Sequence, residues 1–276
     1  MAALKRLLSP ARLIRSLLTS LHMKKPVLQV ALDLLDLKRA IQIARESVLG
    51  GADWIEAGTP LIKSEGMEAV RSLRKEFPGH QIIADMKVAD TGALEVEMAA
   101  KAGASVVCIL ADSDDAVIAE AVRTASVFGV RLMADLINVG DPVARTKELE
   151  AMGVHIVNAH VGIDQQMIGK SSLGILSSIR EAVAIPIAVA GGLDAKTAPV
   201  AVSNGADIVI VGGSITRSAD VEASTREIRH AIDDPGTAAP ERESPETMIR
   251  ELLSQVSSPN ISDRSEEHTS ELQSPN

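Results

Sequence analysis

Short, nearly continuous apolar runs recur along the chain, separated by longer stretches in which apolar residues return every third or fourth position. The runs are VLQVALD at 27, GGADWIEAG at 50, QIIADMK at 81, AGASVVCIL at 102, RLMADLI at 131, MGVHIVNAH at 152, IPIAVAG at 185 and NGADIVIVGG at 204. Among the intervening segments, LKRAIQIARESVL, GMEAVRSLRKEF, DAVIAEAVRTASVF and DPVARTKELEAM each place one apolar stripe on a helix. Apolar runs without polar alternation read as strands buried on both faces, so the chain predicts a parallel sheet covered by helices. Eight strand and helix units between residues 27 and 232 predict a closed (β/α)8 TIM barrel. An open doubly wound sheet is the second choice; it lacks support because ALDLLD, not a GxGxxG turn, follows the first strand.

Four of the runs form a repeat, led by Gly51, Gly103, Gly153 and Gly205 at intervals of 50 or 52 residues. Each reads as a glycine ending a helix just before a buried strand. The barrel is expected to occupy residues 23–233, with 234–245, DDPGTAAPERESPE and its neighbourhood, as a linker. Residues 1–22 are basic, free of acids and broken by Pro10, and read as an extension outside the fold, although a transit peptide or interfacial helix has a similar pattern.

Composition narrows the function. Of 276 residues, 46% are hydrophobic but only 1% aromatic, so the core must be built from Val, Ile, Leu and Ala. A net charge of −9 and the scarcity of rings argue against a nucleic-acid partner, and no apolar run reaches the roughly 18 residues of a membrane span. The single Cys108, inside SVVCIL, reads as inert packing, and a cytoplasmic location fits one unpaired thiol.

Ionisable residues gather where the strands end: Asp33, Glu56, Asp85 with Lys87, Asp135 and His160. In a barrel that is the functional face. Asp85 and Lys87, two apart, are expected to share a side of their strand, and trapping them under the helices would cost several kcal/mol per unpaired ion. The barrel mouth is the cheaper location. A satisfied buried Asp85–Lys87 pair is the bland alternative; five strand ends carrying such groups favour a shared pocket. Glu56 and Asp85 supply hard oxygens suited to Mg2+. His155, near the start of its strand, reads as a surface or packing residue. Gly191 and Gly192 in AVAGG, with Gly212 and Gly213 in IVGGSIT, offer bare backbone N–H groups after the last two strands, where such barrels bind phosphate.

At these residues the chain resembles a known family. The DxKxxD pattern of Asp85, Lys87 and Asp90, with VALDLLD, EAGTPLIKSEG, DLINVGDP, HVGIDQQ, AVAGG and IVGGSIT, is similar to the hexulose-phosphate synthases of the orotidine-monophosphate decarboxylase suprafamily. The resemblance runs from Gln29 to Ile232 and implies a ribulose-phosphate-binding barrel, a homodimer using Mg2+ to join formaldehyde to D-ribulose 5-phosphate. It implies Glu56 and Asp85 as metal ligands, Asp33 and Lys87 as the substrate-binding pair, His160 as the acid/base at C1, and Asp90 as a residue reaching the neighbouring subunit's site. Decarboxylases acting on 3-keto-L-gulonate 6-phosphate share most of this set, but carry Arg-rich sequence where this chain has VGIDQQ, and an Arg where it has Ser214. A catalytically silent scaffold is a third reading, and it expects degraded strand ends. Residues 246–263 resemble the start of an RraA-like domain, and 264–276, with RSEEHTSELQS, resemble translated sequencing adapter.

Overall fold

A computed structural model of the chain describes residues 25–161 and 173–235. The N-terminal extension, most of HVGIDQQ, the linker beyond 235 and the RraA-like and adapter-like segments lie outside the described residues. The strands are β1 (Val27–Leu32), β2 (Trp54–Ala57), β3 (Gln81–Val88), β4 (Val106–Leu110), β5 (Arg131–Asp135), β6 (Ile156–His160), β7 (Ile187–Ala190) and β8 (Ile208–Val211). They pair in sequence order, all parallel, and β8 closes on β1. The doubly wound alternative is thereby excluded.

The described helices are α1 (Leu37–Leu49), α2 (Thr59–Glu65), α3 (Glu68–Glu76), α4 (Gly92–Lys101), α5 (Asp115–Phe128), α6 (Pro142–Met152), α7 (Leu173–Ala182), α8 (Ala198–Ser203), α9 (Gly213–Thr216) and α10 (Val221–Asp233). The apolar periodicity does not predict the short α2, which has Pro60 in its first turn. Four of the longer helices begin on an Asp whose side chain accepts from the first turn: Asp36, Asp114, Asp141 and Asp220. Among the described residues no helix is long and apolar enough to cross a membrane.

Continuous apolar strands are explained by two separate cores. Leu28, Val30 and Leu32 of β1 point outward into the layer shared with the helices, where Ala40, Ile43 and Ala44 of α1 meet them. Ala31, Ile83, Val106, Cys108, Met133, Ile156, Ala188 and Ile208 fill the barrel interior. Burying a strand on both faces removes any polar alternation, and the small aromatic content is enough because Val, Ile and Ala fill a barrel in layers.

The fourfold glycine repeat has a physical counterpart at the N-terminal end of the barrel. In each quarter the residue two after the glycine accepts from a backbone amide at the start of the preceding odd strand, its first or second residue. Leu28 N–H donates to Asp53 (2.8 Å), Ile82 to Ser105 (3.2 Å), Leu132 to His155 Nδ1 (3.1 Å) and Ile187 to Asp207 (2.8 Å). Three of these acceptors also receive an arginine: Arg229, Arg74 and Arg180, whose side chains lie against Gly51, Gly103 and Gly205. Those glycines have φ near +100°, so a side chain there would be strained as well as crowded. The third quarter lacks the arginine, and its acceptor is the uncharged ring of His155.

His155 therefore has a defined packing role. Burial and the nearby Arg131 charge hold its pKa below the usual histidine value of 6.5. Only the neutral ring accepts from Leu132, so this contribution to stability is complete above pH 6.5 and is lost as the pH falls through the lowered folded value. Replacing His155 by Ala leaves a buried N–H unpaired and is expected to cost about 1–3 kcal/mol in urea unfolding at pH 8, with the gap from wild type shrinking at pH 5. An equal gap at both pH values would contradict this role.

Candidate active site

At the opposite end, β3 departs from a regular strand. Ala84 pairs with Val107 but Val88 with Ile109, so four steps along β3 match two along β4. Within this bulge Lys87 takes a left-handed backbone, φ 47°. Asp85 and Lys87 meet, 3.0 Å apart, but an irregular backbone aims the lysine; plain alternation would not suffice. A non-glycine residue held at positive φ costs free energy that its surroundings must offset.

The surroundings are two ion pairs. Lys87 Nζ lies 3.0 Å from Asp85 Oδ2 and 3.0 Å from Asp135 Oδ2, so the bland reading of an isolated pair gives way to a network. The same Asp135 oxygen is 2.8 Å from His160 Nδ1, and its other oxygen accepts from Ile137 N at 2.9 Å. Asp135 is 2% exposed. Burial alone would push its carboxyl up, but the hydrogen bond and charge of His160 and the ammonium of Lys87 hold it below the usual carboxylate range. An ionised carboxylate only accepts, so Nδ1 of His160 carries its proton and, in the neutral ring, Nε2 keeps a lone pair. Lys87 is disfavoured as an ammonium by burial, yet the two carboxylates outweigh this and raise its pKa.

The remaining carboxylates crowd one another. Glu56 is 6% exposed and hydrogen-bonded by Gln29 Nε2; burial first, then the charges of Asp85 and Asp33, push it well above its ordinary value. Asp33, just past β1, is exposed to the mouth, while the protein around it and the charge of Asp85 raise it too. It sits against Gly58, where a Cβ would crowd its carboxylate, and near Gly212, where a Cβ would be in ordinary contact with it. Thr59 Oγ1 lies 2.7 Å from Asp85 Oδ2 and 2.8 Å from its carbonyl oxygen, fixing the carboxylate from α2. Hard oxygens of Glu56 and Asp85 that repel each other in a buried site suit a divalent cation completed by water or substrate oxygens. No group of three ligating side chains is assembled among the described residues.

Other candidates fall into three places. Gly191 and Gly192, both at positive φ, follow β7, while Gly212 and Gly213 open the turn after β8; Ser214 Oγ donates to Leu193 O at 2.8 Å and ties the two turns together. Asp90 stands outside the network, on the exposed loop after β3, and lines a groove of about 380 Å³ with Leu94, Val117 and Glu120. Cys108 is buried beside Met133, and burial with the charges of Asp85 and Glu56 raises its thiol well above the ordinary value, so it stays an inert part of the floor. A further cavity of about 460 Å³ lies between the turns after β4 and β5, lined by Asp112, Asp114 and Asp115; Asp114 caps α5 and Asp115 pairs with Arg145.

Gln29 and Thr59, which hydrogen-bond Glu56 and Asp85, are not among the residues expected from the sequence. Gln29 is findable as the one polar residue inside VLQVAL, on the same face as Ala31 and Asp33. Nothing in the sequence singles out Thr59, whose contact comes from folding one turn onto another.

The profile of the Orotidine 5'-phosphate decarboxylase / HUMPS family matches residues 26–228. The "3-hexulose-6-phosphate synthase" of Mycobacterium gastri is 38% identical over 205 residues, covering 74% of this chain and 99% of the relative. Among solved structures, 3-hexulose-6-phosphate synthase from Salmonella typhimurium has a TM-score of 0.72 at 34% identity, covering 75% of this chain and 98% of that one. KGPDC from Streptococcus mutans, solved as a complex, has a TM-score of 0.71 at 26% identity, covering 76% and 98%.

Removing the lysine tests the network. Lys87→Met leaves Asp85 and Asp135 facing each other without a cation, and is expected to lower stability by about 3 kcal/mol, the lower end for a broken buried pair because the lysine side chain is 26% exposed. Equilibrium urea unfolding measures it; an unchanged midpoint and slope would contradict the network.

Proposed function

The chain belongs to the Orotidine 5'-phosphate decarboxylase / HUMPS family over residues 26–228, and from that premise we propose that it is a 3-hexulose-6-phosphate synthase, an aldehyde-lyase. It condenses formaldehyde with D-ribulose 5-phosphate to D-arabino-hex-3-ulose 6-phosphate. The synthases of Mycobacterium gastri and Salmonella typhimurium, at 38% and 34% identity, support this over the decarboxylase reading, whose KGPDC neighbour stands at 26%. The site observation that carries it is the 2.8 Å contact of His160 Nδ1 with ionised Asp135. Condensation must remove a proton from C1 of the ketose, and that contact leaves Nε2 as a base with a free lone pair.

In this reading His160 Nε2 takes the C1 proton, the C–H electron pair becomes the C1–C2 double bond and the C2 carbonyl π pair moves onto its oxygen, giving an enediolate. The C2 carbonyl then re-forms as the C1–C2 π pair makes the bond from C1 to the formaldehyde carbon, the formaldehyde π electrons move to its oxygen, and the imidazolium returns the proton to that alkoxide. Lys87, paired with Asp85 and Asp135, donates hydrogen bonds to the charge developing on the ketose oxygens, and its raised pKa favours this role over that of the base. Asp33 orients the sugar hydroxyls from the β1 side of the mouth. Glu56 and Asp85 would hold Mg2+, which when bound lowers the barrier to ionisation beside C1. The phosphate would lie on the backbone amides of Gly191, Gly192, Gly212 and Gly213. The silent-scaffold reading expects degraded strand ends, whereas Asp33, Glu56, Asp85, Lys87, Asp135 and His160 are all present.

The reading extends to a homodimer in which Asp90 completes the neighbouring site. Its support is the exposed loop itself and the apolar side chains beside it, Leu94 (58% exposed) and Met98 (43%) on α4. Mixing Asp90→Ala chains with Glu56→Gln chains should then restore part of the activity, since a hybrid dimer holds one intact site. Demonstrably mixed dimers without recovery would refute a shared site.

Exchange chemistry isolates the base. Without formaldehyde, the wild type should wash deuterium from solvent into C1 of ribulose 5-phosphate, followed by proton NMR. His160→Gln is expected to slow this by about a hundredfold or more. Asp135→Asn should also slow it, because the amide no longer selects the Nδ1–H form of the ring. Wild-type rates in the His160 variant would remove it as the base, and exchange that persists after divalent-metal chelation would remove the metal.

A further inference from the structure

We propose that Arg217 supplies the cation of the phosphate end of the site, reaching it by folding back over Gly213. The inference rests on the sugar-phosphate reading above and adds the residue that sets affinity for the phosphomonoester dianion. Arg217 follows the short helix α9, and its backbone N–H donates to Gly213 O at 3.1 Å. Its side chain returns over that residue: a Cβ built on Gly213 would lie 2.7 Å from the Arg217 guanidinium carbon and 3.1 Å from Nε. The backbone of Gly213 does not itself require glycine, since it is absent from the positive-φ positions. What the missing side chain provides is room for the guanidinium.

Charge accounting gives that placement a purpose. Asp33, Glu56, Asp85 and Asp135 converge on the mouth of a chain whose net charge is −9. Asp33 Oδ2 is 3.5 Å from where a Gly212 Cβ would stand, so a dianion on the glycine turns would have an acid beside it. Lys87 is taken up by Asp85 and Asp135, and Lys196, on the turn after β7, is offset by Asp194. Arg217 makes no ion pair among the described residues, is exposed, and sits on the turn that Ser214 ties to Leu193. A guanidinium can bind two phosphate oxygens at once, adding full charge to the partial charges of backbone N–H groups.

The test is a mutant cycle with ribulose 5-phosphate at saturating formaldehyde. Arg217→Gln is expected to raise KM about tenfold or more with kcat within about twofold, and Arg217→Lys to recover part of the loss. Gly213→Ala should reproduce the KM defect with the arginine still present, because the methyl displaces its flexible head. The double variant should then be no worse than either single one. Inorganic phosphate, used as a competitive inhibitor, should lose affinity in Arg217→Gln in parallel, while non-phosphorylated ribulose should be handled equally by both proteins. An unchanged KM in Arg217→Gln, or additive effects in the double variant, would overturn the proposal. If the wild type forms no product, the functional reading fails instead; calorimetric binding of inorganic phosphate to wild type and Arg217→Gln still decides this one, equal affinities overturning it.

Discussion

One carboxylate oxygen, Asp135 Oδ2, receives both Lys87 Nζ and His160 Nδ1, and the chemistry of the mouth depends on that shared contact. Because Asp135 is buried and still ionised, it fixes two protonation choices at once: lysine as ammonium, and histidine with its proton on the inner nitrogen. The left-handed backbone of Lys87 makes sense in the same terms, since two ion pairs hold the residue where a regular strand would not put it. Removing any member changes the state of the other two, so acid, base and electrostatic roles are not separable residue by residue.

The two ends of the barrel divide the work. At the N-terminal end, polar side chains are used for closure: Asp53, Ser105, His155 and Asp207 receive strand amides, and arginines lying against three glycines of the repeat brace all but His155. At the C-terminal end the acids are gathered together, and burial first, then the charges of neighbouring carboxylates, push Glu56 and Asp33 up. An excess of buried carboxylates is unfavourable for folding and useful for holding a cation, and the closed barrel with its two apolar cores provides the stability against which that strain is held.

The sequence is most readable where spacing and composition carry the signal. Gly51, Gly103, Gly153 and Gly205 mark the quarters of the barrel, and uninterrupted Val, Ile and Ala mark strands buried on both faces. The acids and the histidine at the strand ends also point to the mouth, since a charge inside an apolar run has few affordable places. Less readable is whatever depends on how one turn folds over another. The bulge that aims Lys87, the Thr59 clamp on Asp85 and the return of Arg217 over Gly213 have no periodicity to betray them. His155 reads as a surface or packing residue from the sequence; that it accepts from Leu132, in the one quarter without an arginine against its glycine, is visible only in the fold.

Formation of a carbon–carbon bond tests the central reading most directly. Incubating the protein and Mg2+ with ribulose 5-phosphate and 13C-formaldehyde, and following the label by 13C NMR, should move it into a hydroxymethyl carbon coupled to a new neighbour in a hexulose 6-phosphate. Label that stays as formaldehyde hydrate, alongside release of CO2 when 3-keto-L-gulonate 6-phosphate is supplied instead, would contradict the synthase and assign the same residues to decarboxylation.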